Sequence, residues 1–347
     1  MSGGVDSSVA AALLVEAGHD VVGATLKLWG GPSDSGCCSV ADVDDARRVA
    51  QQLGIAHHVF DLSEDFEESV VAPYVAAHAA SRTPNPCIEC NRHIKFDRLL
   101  ARARRLGFDA LATGHHARVE RAGETRVRLL RGVDANKDQS YVLSMLSQDQ
   151  LSSVALPVGH LTKGEVRAHA AALGLRTAAK PDSQDVCFIA STDGRRGFLG
   201  RRLALRPAPV VDATTGAVVG AVDAVQLVTV GQRRGMGHGT DGARRYVVAV
   251  DPAANRVLVA GREAASIERV VLVPDSVAWI DRPLVPGAPA VAQVSAHGRP
   301  IDCVVNGEDG RLEVVFAQAQ RPVAPGQTIA LYDAQDPDSV VGSGIAA

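Results

Sequence analysis

The chain has 347 residues, 46% hydrophobic and 22% charged, with a formal net charge of −3. That length gives two or three domains with ample core, and the charge argues against indiscriminate nucleic-acid binding while leaving room for a local basic stripe. The apolar runs are too short for a bilayer and no basic, apolar leader opens the sequence, so a cytoplasmic protein without membrane contact is expected.

The first element is the loop Ser2-Gly3-Gly4-Val5-Asp6-Ser7-Ser8, which runs straight into an apolar helical stretch ending at Gly18. Two glycines let the backbone approach a ligand closely, and the unpaired amides of a helix start, with the Ser2 and Ser7 hydroxyls, make an anion cradle. Asp6 would repel a bare phosphate, so its presence points to a Mg²⁺ between carboxylate and polyphosphate. No Gly-Lys-Ser/Thr follows, which excludes a Walker A loop. Such a loop normally follows a central parallel strand, and here only Met1 precedes it, so either the start is set too far downstream or the sheet lacks its middle strand.

Residues 20–29 read as a strand, 42–53 as a helix stopped by Gly54, and 55–62 as a strand on which His57 and His58 are packing residues. Ser63 is placed to cap the next helix, which Pro73 must kink or divide. Residues 94–106 form a basic amphipathic helix closed by Gly107, followed by a short strand at 108–113 and Gly114-His115-His116. Strand and helix in alternation predict an α/β fold: a Rossmann-like parallel sheet with helices on both faces. Ser147 with Gln150, and Thr162 with Glu165, have capping-box spacing, the second helix ending at Gly174. From about Pro207 short valine-rich segments alternate with turn residues, including a hairpin at 304–316 beside a core Cys303. The expected domains are 1–195, nucleotide-binding; 196–262, a small linker domain; and 263–347, β-barrel.

Six cysteines without a leader do not suggest a disulfide framework. Cys37-Cys38 reads as structural. Cys87 and Cys90 lie in a proline-stiffened loop just before the basic helix, where a helix N-terminus and Arg92, His93 and Lys95 should favour a thiolate. Cys187 follows the polar stretch Lys180-Pro-Asp-Ser-Gln-Asp185 at the edge of an apolar run; alone it reads as a buried small hydrophobe.

SGGVDSS, TPNPCIECNRHIKFDRLL, LATGHHARV, GVDANKDQSYVLSML, KPDSQDVCFI and VGQRRGMG, in this order over essentially the whole chain, resemble the bacterial tRNA-specific 2-thiouridylase family of PP-loop ATP pyrophosphatases. The resemblance implies an adenine nucleotide alpha hydrolase-like domain, and an enzyme that adenylates the C2 oxygen of the wobble uridine with ATP and replaces it by sulfur. Met1, Ser2, Gly3, Gly4, Val5, Asp6, Ser7, Leu26 and Gly114 match nucleotide-binding positions. By the same resemblance Cys187 carries a persulfide received from a sulfur-relay protein or cysteine desulfurase, and Cys90 is the resolving or nucleophilic thiol. Asn85, Pro86, Cys87, His115, Lys137, Asp138, Gln139 and Gln327 match tRNA-contacting positions.

Many relatives carry aspartate where this chain has Cys87. The extra thiol opens a second arrangement, in which Cys87, Cys90 and Cys187 hold a [4Fe–4S] cluster, and it tilts the reading that way. Arg195, Arg196, Arg201, Arg202 and Arg206, with Arg233-Arg234, are expected to grip the tRNA backbone. The family's basic-aromatic contact pair falls near Ser295-Ala296, so that role is not carried over. The alternatives are an amidating synthetase of the same superfamily and a degenerate RNA-binding protein.

Overall fold

The computed structural model describes residues 1–29, 39–123, 126–182, 186–190, 192–238, 242–308 and 311–347. Cys37 and Cys38 lie outside the described residues. The N-terminal part carries β1 (Val22–Lys27), β2 (Ala56–Asp61), β3 (Leu111–Ala112) and β6 (Val154–Ala155), and all four lie in parallel pairs, β1 with β2 and β3 with β6. A parallel sheet lacking its central strand was one expectation, and among the described residues the parallel strands form two separate pairs. Met1 lies along β1, where its terminal amine donates to the Ala24 carbonyl and its own carbonyl accepts from Thr25 Oγ1 at 2.6 Å. Burial there lowers the amine pKa to about 6. The helices Val5–Glu16 and Lys163–Ala172 pack together through Val5, Val9, Val166 and Ala170.

Two long helical runs build the next layer. Residues 63–79 run continuously, and the turn widens to π spacing at Glu67–Val71 just ahead of Pro73. A wider turn accommodates the missing proline N–H and the ring's clash with the preceding turn, so the run is not divided. Ser63 is not the cap: Leu62 occupies that position, and the Ser63 amide donates to Asp61 Oδ1 at 3.1 Å. The second run spans 86–105, with π spacing over Cys90–Leu99. It starts eight residues earlier than the apolar periodicity suggested, because Asn85 caps it and Pro86 supplies a pre-set φ at its first position. The glycines expected to follow helices, Gly18, Gly54, Gly107 and Gly174, all have positive φ.

A four-stranded sheet follows, ordered β8 (Val218–Val222), β7 (Ala208–Asp212), β10 (Arg256–Ala260), β9 (Tyr246–Asp251). The last sheet has nine strands. It contains β11 (Ile267–Leu272), β12 (Ala278–Trp279), β13 (Ala288–Gln293), β14 (Ile301–Glu308), β15 (Arg311–Gln320), β16 (Thr328–Asp333) and β17 (Ser339–Ile345). A bridge between Leu272 and Ala346 brings β11 back to the end of β17, closing a barrel around Cys303, Phe316 and Leu331. Burial pushes the Cys303 thiol up to about 12, as suits a core residue.

The sheet's remaining two strands come from the N-terminal part. The hairpin β4 (Ala117–Arg121) and β5 (Val127–Arg131) joins it, with Ser339 and Val340 of β17 opposite Leu130 and Leu129. One apolar core therefore runs from Ile88, Phe96 and Tyr141 through Leu129 to Val291, Tyr332 and Val340. The TPNPC loop is docked on the barrel by the Thr83 amide, which donates to the Pro325 carbonyl at 2.7 Å.

Candidate active site

The glycine loop enters the helix Val5–Glu16 with Gly4 as N-cap, and no side chain caps that end. Its first amides therefore remain available to an anion, with the positive end of the helix dipole behind them. The hydroxyls pre-shape the loop: Ser7 Oγ accepts from the Ser2 amide at 3.0 Å, lies 3.1 Å from Ser2 Oγ, and donates to the Gly4 carbonyl at 3.2 Å. Gly3 has φ +70°, and a Cβ there would stand 2.3 Å from the Asp42 carbonyl oxygen. Gly114 backs onto the loop so closely that a Cβ would stand 2.6 Å from Asp6 C and Ser7 N. Neither position admits a side chain without moving the cradle.

Asp6 is held by two basic side chains. Both its oxygens accept from Lys163 Nζ at 2.7 Å, and Oδ1 lies 3.0 Å from His116 Nε2. Burial alone would raise its pKa; the hydrogen bonds from His116 and Lys163 outweigh it and hold the carboxylate below its ordinary range. Among the described residues no three His, Cys, Asp or Glu side chains gather as a metal-holding group.

Two further polar residues tie the sulfur segment to this loop. Lys180 donates to the Gly3 carbonyl at 2.9 Å and to Asp42 and Asp45 at 2.6 and 2.7 Å. Asp182 accepts from Lys163 at 2.9 Å, so one ammonium bridges the glycine loop and the stretch leading to Cys187. Sequence reading missed Lys163, Lys180, Asp182 and His116 as site residues; the only signals were Lys163 beside a capping Thr162 and the other three inside motif stretches.

Cys87 and Cys90 lie inside the first turns of the 86–105 helix, a correction to the loop expected there. The Asn85 side chain accepts from the Cys87 and Ile88 amides at 3.1 and 3.4 Å, so both thiols sit at a capped helix N-terminus. Cys90 is buried in an apolar cluster with Phe66, Tyr74, Phe188 and Phe198, and Leu26, Trp29 and Cys187 pack against that same cluster. Phe188 lies 5.4 Å from Tyr74 and 5.1 Å from Phe198 between ring centroids, wedging the residue next to Cys187 among aromatics. Cys87, one helical turn before Cys90, is exposed. Cys90 and Cys187 thus share one apolar environment, with Cys87 at its solvent side.

The residues matched to tRNA contacts divide. Asn85 and the barrel residue next to Gln327 are linked through Tyr141, whose hydroxyl donates to the Thr328 carbonyl at 2.8 Å and bonds the Asn85 side chain. Cys87 is exposed and Lys137 is partly so, its Nζ donating to Asp182 at 2.8 Å. The other side chains have internal tasks. Pro86 is buried at the helix start. Gln139 Oε1 accepts from the His116 amide at 2.9 Å. Asp138, with only 7% of its side chain exposed, accepts from Arg131 at 2.9 Å, from the amides of Gly132 and Ser140, and from Ser140 Oγ. His115 is buried against Phe96 with Thr113 Oγ1 at 2.8 Å, and burial drives its pKa well below the ordinary value, leaving it neutral.

The arginine stripe is likewise engaged within the protein. Arg195 and Arg206 donate to the carbonyls of Leu227 and Pro252, Arg196 pairs with Asp223, Arg201 with Asp193, and Arg202 lies over Phe198 and faces Glu67. The helix Gly194–Gly200 packs Phe198 and Leu199 into the cysteine cluster.

Family models match along the whole length: a tRNA methyl transferase HUP domain at residues 1–191, a tRNA methyl transferase PRC-barrel domain at 196–261, and an aminomethyltransferase beta-barrel domain at 273–346. A tRNA-specific 2-thiouridylase MnmA of Thermobifida fusca is 46% identical over 349 residues, covering 99% of this chain and 93% of the relative. The chain belongs to the tRNA-specific 2-thiouridylase family. Members named in the same way from Roseiflexus sp. and Mycolicibacterium vanbaalenii are each 47% identical, over 99% of this chain and 97% and 96% of theirs. Within the family fold the glycine loop is the HUP-domain helix start, and both clustered thiols lie in that domain. No described helix is long and apolar enough to cross a membrane.

Proposed function

We propose that this chain is an ATP-dependent tRNA-uridine 2-sulfurtransferase. The uridine O2 attacks the α-phosphorus of ATP and pyrophosphate leaves; sulfur then attacks C2 and AMP leaves. The amides at Gly4–Ser7 bind the polyphosphate, with Lys163 and Lys180 as the cations that touch the loop. Cys187 carries the sulfane sulfur as a persulfide, received from a relay protein or a cysteine desulfurase. In one route its terminal sulfur bonds C2, and the Cys90 thiolate then attacks Cys187 Sγ, forming a disulfide and releasing 2-thiouridine. In the other, Cys90 first frees hydrosulfide by the same attack. Both routes end in a Cys90–Cys187 disulfide that an external thiol must reduce with two electrons before the next turnover.

The observation carrying this reading is that Cys90 and Cys187 share one apolar cluster while Lys180 and Lys163 tie the Cys187 segment to the nucleotide loop. An apolar setting keeps water from a reactive persulfide and from adenylated uridine. The test is incubation with ATP, Mg²⁺, tRNA and a persulfide donor. AMP, pyrophosphate and 2-thiouridine should form together, and Cys90→Ser and Cys187→Ser should each abolish the thiolated base. ATP turnover without tRNA would favour an amidating synthetase, and tRNA binding without turnover a degenerate binder.

A further inference from the structure

Asp182 is the carboxylate on which three cations from two parts of the molecule converge. Lys137 Nζ donates to it at 2.8 Å, Arg167 at 2.8 Å, and Lys163 Nζ at 2.9 Å. Lys163 in turn donates to both oxygens of Asp6 in the nucleotide loop. Lys137 opens the segment matched to RNA contact, and Arg167 stands on the Lys163–Ala172 helix. Asp182 precedes Cys187 in the same stretch, two residues after Lys180, whose own ammonium holds the Gly3 carbonyl. Its side chain is 21% exposed and Lys163's is 11% exposed, so these contacts are screened far less than surface pairs. Asp134 accepts the Lys163 amide and lies in the field of Lys137, but Asp182 takes side-chain contacts from both ammonium groups.

We propose that Asp182 is a positioning residue for sulfur transfer: through Lys163 and Lys137 it holds the Cys187 segment in register with the nucleotide loop and with the RNA-facing segment. It touches no reacting atom. The inference rests on the thiolation reading above and adds to it the element that sets where the sulfur-bearing side chain stands. Removing the carboxylate leaves Lys163 on Asp6, so the phosphate cradle keeps its counter-charge while the Cys187 segment loses its anchor.

The experiment compares wild type, Asp182→Asn and Asp182→Glu at saturating ATP and tRNA, with pyrophosphate release and 2-thiouridine measured in the same reaction. In Asp182→Asn thiolation should fall by about tenfold or more while tRNA-dependent pyrophosphate release stays within about threefold, and Asp182→Glu should recover part of the loss. Alkylation of Cys187 by iodoacetamide should quicken in Asp182→Asn, a readout that needs no turnover. Arg167→Met, which removes one of the three cations, should move thiolation and alkylation in the same direction by less, and it serves if Asp182→Asn does not fold. Parallel loss of both products, or unchanged thiolation with unchanged alkylation, overturns the proposal. Wild type that makes no 2-thiouridine overturns the function instead, and the alkylation comparison then still decides whether Asp182 anchors the segment.

Discussion

At the scale of single residues, two positions decide what chemistry the site can run. Gly114 leaves no room for a methyl group against the backbone of Asp6 and Ser7. Gly114→Ala should push the phosphate loop off its geometry and raise the KM for ATP by about tenfold or more with the melting temperature little changed, because the collision is with the cradle and not the core. The three thiols give a sharper contrast. The persulfide route uses buried Cys90 and Cys187 and leaves exposed Cys87 idle, so Cys87→Ser should keep at least about half of the wild-type thiolation rate with a persulfide donor, prepared with or without oxygen. A cluster enzyme would lose its iron and its activity in that variant. The glycine loop was legible in the sequence because its signal is local, one residue after another. Lys163, which holds Asp6 from 157 positions away, carries no spacing signal at all.

At the scale of elements, the capping boxes at Ser147 and Thr162 formed as their spacing required. The box at Ser39 with Asp42 went unread, since aspartate stands where glutamate or glutamine is usual, and the helix was placed from Asp42 although it begins at Val40. The 86–105 helix was read from its apolar periodicity, which begins only where the helix enters the core. Its true start is set by Asn85, which satisfies two orphan amides and also bonds Tyr141. Asn85→Ala should cost about 1 kcal/mol and shift the urea midpoint down, while Asn85→Asp, which keeps the acceptor, should cost less. Asn85→Ala should also slow thiolation, since the placement of Cys90 depends on that first turn.

At the scale of the whole molecule, the N-terminal part and the barrel are joined by contacts that no local pattern announces. The hairpin β4–β5 drew no sequence expectation, yet it extends a sheet whose next strand lies more than two hundred positions later. Another junction is His78, which faces the Gln226 carbonyl at 3.2 Å and packs edge-on to Tyr74 at 4.6 Å. Burial, helped by Arg195, lowers its pKa to about 4. Unfolded, it titrates near 6.5, so between those values the unfolded chain binds the extra proton; its contribution is intact above about pH 6.5 and lost as pH falls towards 4, about 3 kcal/mol in all. His78→Gln should flatten that part of the stability profile. The barrel junction makes the larger demand. Arg131 stacks on Tyr332 at 3.7 Å and pairs with Asp138, Arg118 pairs with Asp338 at 3.3 Å, and Arg128 and Arg126 pair with Asp336 and Asp281. A chain stopped at residue 262 would leave the β5 edge unpaired, uncover Leu129 and Tyr141, and strand Arg131 half-buried without its ring. Such a fragment should be aggregation-prone, bind an apolar dye and lose tRNA-dependent pyrophosphate release, even though every residue of the nucleotide loop is present. Soluble, cooperatively folding 1–262 with native ATP affinity would mean the shared core contributes nothing to the catalytic half.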